Sequence, residues 1–275
     1  MNIAITGPSG FIGKRLVDHL AGGVHGVTLF DKSKHDLLQP DSLQSFLSGA
    51  DCVVHLAGAN KGNDVQLVTV NTGGTAGLLT GMNMFSPNAR MIFASSFQVY
   101  VPNSMYALSK KWAEEEVAFF SEQHHIKSVI LRFSNVYGPG CTPFYNSVIA
   151  TYCYQIQRGE EITIHGNGAQ KRDYIYVDDV VDAIEKSILY VLQQGYEIVD
   201  ICSGIPVSLN EIVALLTTLH NGKVKIAHTK TSGTGVEYPQ KDFSKARGAF
   251  SWKPNTSLKK GLQNTLQHEA EHKKT

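Results

Sequence analysis

The chain has 275 residues, 42% of them hydrophobic, and 25 Lys and Arg against 24 Asp and Glu give a formal net charge of +1. No basic run is long enough to suggest a nucleic-acid or anionic-membrane partner, and no apolar run approaches a membrane span. These limits leave a small-molecule ligand and a cytoplasmic protein of one large domain or two unequal ones as the expectation.

Residues 1–13 read Met-Asn-Ile-Ala-Ile-Thr-Gly-Pro-Ser-Gly-Phe-Ile-Gly. Ile3 and Ile5 predict a short buried strand, 6–10 a tight turn, and 11–21 a helix with Ile12, Val17 and Leu20 near one face. Such a turn aims backbone N–H groups and the positive end of a helix dipole at an anion, and glycine lets a pyrophosphate approach. A dinucleotide is the expected ligand, on a Gly7-x-x-Gly10-x-x-Gly13 spacing that differs from the usual G-x-G-x-x-G.

A second strand over 27–30 ends on Asp31, placed to bond an adenosine ribose and to repel a 2′-phosphate. That favours NAD, while Lys32 beside it keeps NADP as the alternative. The short interval from Asp31 to Asp36 and Leu37 leaves no room for the usual helix, so this sheet edge is trimmed. A helix over 41–47 follows, then a nearly all-apolar strand over 52–56, as expected in the middle of a parallel sheet. Its exit, Ala57-Gly58-Ala59-Asn60, is small enough to let backbone approach a ligand. Asn71 is expected to open a helix running to 85, and 91–94 forms a buried strand ending in Ser95 and Ser96. Alternating strands and helices predict a Rossmann-type, doubly wound α/β fold with ligands beyond the carboxyl ends of its strands.

A helix over 106–123 comes next. The second half then reads as a helix over 143–158, a strand over 161–165, a helix from Asp178 onward that returns to the core, and a buried strand over 198–202. Ser208 and Glu211 form a capping box, and a last helix covers 258–269. This divides the chain into a dinucleotide-binding domain over 1–140, rejoined by about 178–205, and a mainly substrate-binding region over 141–275. Cys52, Cys141, Cys153 and Cys202 lack paired spacing and read as reduced thiols, and the scattered histidines suggest no metal site.

Tyr106 and Lys110 stand four apart on one helix face, so the ammonium can lie near the phenol, stabilise its phenolate and make Tyr106 a usable acid/base. Together with the glycine turn, Asp31 and the serine ten residues upstream, this constellation resembles the extended short-chain dehydrogenase/reductases of the NAD-dependent nucleotide-sugar epimerase/dehydratase family. The matching pieces are Thr6-Gly-Pro-Ser-Gly-Phe-Ile-Gly13, Asp31, Asp36-Leu37, His55-Leu-Ala57, Ser95-Ser96, Tyr106-x-x-x-Lys110, Leu131-Arg-Phe-Ser-Asn135-Val-Tyr-Gly-Pro139, the Gly166 to Asp179 stretch, and Asp242-Phe-Ser-Lys-Ala246 with Trp252-x-Pro254.

By position, the resemblance assigns the cofactor to Gly7, Ser9, Gly10, Phe11, Ile12, Gly13, Asp31, Lys32, Asp36, Leu37, Leu56, Ala57, Gly58, Asn71, Tyr106, Lys110 and Val136. It makes Ser96, Tyr106 and Lys110 catalytic and gives Ser96, Asn135, Asn146 and Arg172 to a UDP- or dTDP-linked sugar. A surface ion pair to Asp173 is the structural alternative for Arg172, and a backbone bond that for Asn135. The helices over 72–85 and 106–123 would form a homodimer interface.

Departures narrow the chemistry. Phe97 and Gln98 replace the acidic pair of the family's 4,6-dehydratases, and Gln98 and Gly140 stand where 3,5-epimerases carry cysteine and histidine. What remains is hydride transfer at one carbinol, usually C4, as an epimerase or as a reductase of a 4-keto sugar. The short Ser96 to Tyr106 interval and residues 145–154 resemble the reductase domain of capsular-polysaccharide UDP-sugar enzymes, which carry a further domain not matched here. Ser232 occupies the position where the family places a second diphosphate-binding base, and the glycines of 231–235 suggest a flexible loop. A non-catalytic NAD(P)-binding regulator is the reading from another class, against which the retained Tyr106 and Lys110 argue.

Overall fold

The computed structural model describes residues 1–145, 147–192, 195–230 and 236–272. The N-terminal half alternates as expected: β1 Asn2–Thr6, α1 Phe11–Leu20, β2 Gly26–Leu29, a 3₁₀ turn at Pro40–Leu43 leading into α2 Gln44–Leu47, and β3 Cys52–His55. Then come α3 Asp64–Val68, a π-helical turn Thr69–Gly73, α4 Gly74–Phe85, β4 Arg90–Ser96, a 3₁₀ turn Phe97–Tyr100, α5 Met105–Gln123, β5 Ser128–Phe133 and β6 Asn135–Tyr137. The second half holds α6 Val148–Arg158, β7 Glu161–His165, β8 Lys171–Tyr176, α7 Val177–Leu189, β9 Tyr196–Ile201, β10 Pro206–Ser208, α8 Leu209–His220, β11 Lys225–Thr229, α9 Ser244–Phe250 and α10 Leu258–His272.

The main sheet is parallel throughout, in the order β2-β1-β3-β4-β5-β9. Alternate residues of each inner strand feed opposite faces. Ile3, Ile5, Val54 and Ile92 pack under α1 and α7, while Ala4, Val53, Met91 and Phe93 pack under α2, α4 and α5. Two-sided burial is why β3 reads as a continuous apolar run. At the trimmed edge, β2 is exposed along its whole length. A third apolar cluster joins α6, α8 and α10 over β7 and β8.

Two expectations are corrected. Asn71 does not open a helix: the helical stretch starts seven residues earlier under an Asn63 and Gln66 capping box, and Asn71 is buried in the π-helical turn. The helix expected from 143 begins at Val148, where the Ser147 side chain caps it; Phe144 ahead of it has φ +59° and lies outside the helix. Among the described residues no helix is long and apolar enough to cross a membrane.

Candidate active site

The carboxyl ends of β1, β3, β4 and β5 converge on a cavity of about 1120 Å³. At its floor, Gly7 has φ +67° and passes so near the β3 exit that a Cβ would lie 2.7 Å from the Ala57 nitrogen. A Cβ on Gly13 would collide with the Gly7 carbonyl. No side chain caps α1 at Gly10, which leaves the first N–H groups of that helix for an anion.

The cavity wall brings together Gly7, Ser9, Gly10, Phe11, Ile12, Gly13, Leu56, Ala57 and Gly58 with Ser96, Tyr106, Lys110, Asn135, Val136 and Arg172. A smaller cavity of about 790 Å³ shares Ser96, Asn135 and Arg172 and continues to Glu237 through Lys241. Asp31, Lys32, Asp36, Leu37 and Asn71 are on neither wall. Asn146 and the 231–235 loop lie outside the described residues.

Asp31 accepts the Ser33 N–H at 2.9 Å and its hydroxyl at 2.7 Å, and these bonds hold its carboxyl below the usual range. Asn71 acts as a latch on the β3 exit. Its oxygen accepts the Ala59 N–H at 2.7 Å, and its amide donates to the Ala59 carbonyl and to Ser109 Oγ.

The Ser96 oxygen accepts the Gln98 N–H at 3.2 Å, so its own proton is free to be donated. Burial raises the Tyr106 phenol, and a hydrogen bond from Ser96 opposes that. Lys110 does not supply the opposing interaction as the sequence suggests: its ammonium donates to the Ala94 carbonyl at 2.6 Å and sits 4.0 Å from the Phe93 ring centre. Burial pulls the Lys110 ammonium down to about 7, with Glu114 acting in the opposite direction. Glu114 is itself held by a two-pronged bond from Arg132 at 2.9 and 2.6 Å.

The ion pair between Arg172 and Asp173 does not form. Asp173 accepts from Ser203 N, Ser203 Oγ and Gly204 N, while Arg172 bonds the Lys171 carbonyl and lies 5.0 Å from the Tyr238 ring centre. Asn135 donates to the Asp173 carbonyl at 2.8 Å and still faces the cavity, so the backbone bond and the cavity position coexist. Sequence reasoning passed over Lys61, which donates to the Phe144 carbonyl at 3.1 Å and stands over the Tyr145 ring on the same wall. It also passed over Tyr100, Tyr238 and Lys241. No local spacing signals these contacts, because their partners are far away in sequence, from 32 residues for Tyr100 and Arg132 to 141 for Tyr100 and Lys241.

The model of the NAD dependent epimerase/dehydratase family matches residues 3–202. A UDP-glucuronate 4-epimerase of Thermodesulfobacterium geofontis is 29% identical over 234 residues, 78% of this chain and 71% of that one. A UDP-2-acetamido-2,6-beta-L-arabino-hexul-4-ose reductase of Pseudomonas aeruginosa is 32% identical over 189 residues, 68% of this chain and 49% of its own length. The crystal structure of UDP-glucose 4-epimerase with UDP-glucose from Thermotoga maritima superposes with a TM-score of 0.90 at 25% identity, covering 99% of both chains. Matched over most of its length in sequence and nearly all of it in fold, the chain belongs to the NAD dependent epimerase/dehydratase family and is an NAD-dependent enzyme.

Proposed function

We propose that the chain is a nucleotide-sugar epimerase that works by transient oxidation at sugar C4 of a UDP- or dTDP-linked substrate. The observation that carries this reading is a single wall bearing the glycine turn, Ser96, Tyr106, Lys110, Asn135 and Arg172. The wall suits a dinucleotide in a second respect. Asn60 Oδ1, Ser95 Oγ and Ser134 Oγ lie buried along it without partners among the described residues, and bound ligands would supply those partners.

In this reading the open N–H groups of α1 hold the pyrophosphate, and Asp31 accepts from the adenosine ribose. Bound NAD supplies a hydride acceptor and then the returning hydride. Tyr106 Oη acts as the phenolate, the form that the Ser96 hydrogen bond favours and burial opposes. It takes the C4 hydroxyl proton as the C4 hydride leaves to the cofactor, and gives it back when the turned-over 4-keto sugar regains the hydride. Ser96 donates to the reacting oxygen. Lys110, with one N–H on Ala94, keeps two for the nicotinamide ribose. The Arg172 fork clamps the diphosphate.

Replacing Tyr106 by Phe is expected to keep cofactor binding and lower turnover by about 10²- to 10⁴-fold. Undiminished turnover would overturn the mechanism. A one-way reductase of a nucleotide-linked 4-keto sugar is the second reading, favoured by the 32% match to a reductase and the short Ser96 to Tyr106 interval. We also read α4 with the π-helical turn before it, and α5, as the face toward a second copy, because Val70 of that turn, Met84 of α4, and Trp112 and Phe119 of α5 leave 40, 49, 39 and 58% of their surfaces exposed. A dimeric mass at micromolar concentration is expected, and a monomeric mass would contradict it.

A further inference from the structure

We propose that Lys241, seated on the Tyr100 ring, is a second cationic clamp for the substrate diphosphate, acting with Arg172. The proposal rests on the nucleotide-sugar reading above and assigns the charge that the Ser232 position does not carry.

The smaller cavity carries Lys171, Arg172 and Lys241 on its wall. The Lys241 ammonium stands 4.1 Å from the centre of the Tyr100 ring, as the Arg172 guanidinium stands over Tyr238. No carboxylate lies within 4.0 Å of either cation among the described residues. A cation on an aromatic face keeps its N–H donors, whereas one in an ion pair has committed them. Arg172 and Lys241 therefore both keep donors for an anion on the wall of one cavity.

Tyr100 is itself held firmly. Its hydroxyl lies 2.7 and 2.8 Å from the two Asp200 carboxylate oxygens and donates to that group, while Arg132, anchored by Glu114, stands 4.7 Å from the same ring. On this wall the three cations Lys171, Arg172 and Lys241 stand against the two acids Asp173 and Glu237, while Asp200, bound to the Tyr100 hydroxyl, also attracts Lys241 without an ion-pair contact. A diphosphate has oxygens for two cations, and Lys241 is the cation the 236–241 segment brings to this wall.

The test is calorimetric titration of wild type, Lys241→Met and Lys241→Arg with UDP, dTDP and NAD, alongside KM and kcat. The proposal expects K241M to weaken diphosphate binding and raise KM about tenfold, the scale of one lost charged hydrogen bond. The NAD affinity, kcat and unfolding midpoint should stay unchanged, and K241R should recover the affinity. Wild-type binding of UDP or dTDP with K241M equally tight would overturn the Lys241 assignment and leave the nucleotide-sugar reading standing. Parallel loss of NAD and diphosphate affinity would overturn it too, as a purely structural effect. If wild type bound neither diphosphate, the nucleotide-sugar reading would fall and this proposal with it.

Discussion

Lys110 shows how burial can set a reaction's pH range. Its ammonium is charged below about pH 7 and neutral above it, because desolvation outweighs the attraction of Glu114. If turnover needs that charge, kcat/KM, which reports the free enzyme, falls as pH rises through about 7. A profile flat from about pH 6 to 8.5 would contradict this. His55 is shifted in the same direction but further and stays neutral: burial first, then Lys110, lowers its pKa to about 3. Its hydrogen bonds run in one consistent direction. Thr6 accepts the Ala57 N–H and donates to His55 Nδ1 at 2.6 Å, while Nε2 donates to Thr75, which donates to the Asn71 carbonyl. This neutral chain fixes the β3 exit where a cofactor would lie. That Tyr106, Lys110 and Ser96 share one cavity wall was legible because helix period and strand-end position are local. The His55 chain and the Tyr100 seat were not, since each joins residues from several elements.

At the scale of elements, close backbone passage explains what the periodicity missed. Gly77 lets α4 cross the 36–38 turn so closely that a Cβ would collide with the Leu37 carbonyl oxygen. Gly77→Ala is therefore expected to cost roughly 1–3 kcal/mol of stability. It should also weaken NAD binding more than UDP binding, since the strain falls on the side assigned to the adenine. Unchanged stability on chemical denaturation would contradict this packing. The trimmed edge after β2 was readable from the four-residue interval alone. The start of α3 was not, although its Asn63 and Gln66 capping box stands in the sequence, because the β-branched Val65, Val68, Thr69 and Val70 that follow are weak helix formers.

Across the whole molecule, the glycine turn and the helix returning from the second half are tied together. Arg15 of α1 bonds both carboxylate oxygens of Asp178 on α7, at 2.5 and 2.9 Å, and His19 meets Glu185 at 2.8 Å. Trp252, fully buried, donates to the Asp179 carbonyl, and Asp179 in turn accepts from the backbone at Asn255 and Thr256. The same helix α7 packs against β6 and β8, whose Asn135 and Arg172 share the cavity wall with Ser96 and Tyr106. The doubly wound sheet was legible because each inner strand is a short apolar run. The β10-β8-β6 sheet was not, because three-residue strands carry no period.

The most direct test of the account is to denature the purified protein, identify any released dinucleotide, and supply the native protein with UDP- and dTDP-sugars without added cofactor. The account predicts retained NAD and interconversion of a C4 epimer pair. A protein that releases no dinucleotide and turns over a keto sugar only with added NADH or NADPH would contradict epimerisation and establish the reductase reading in its place.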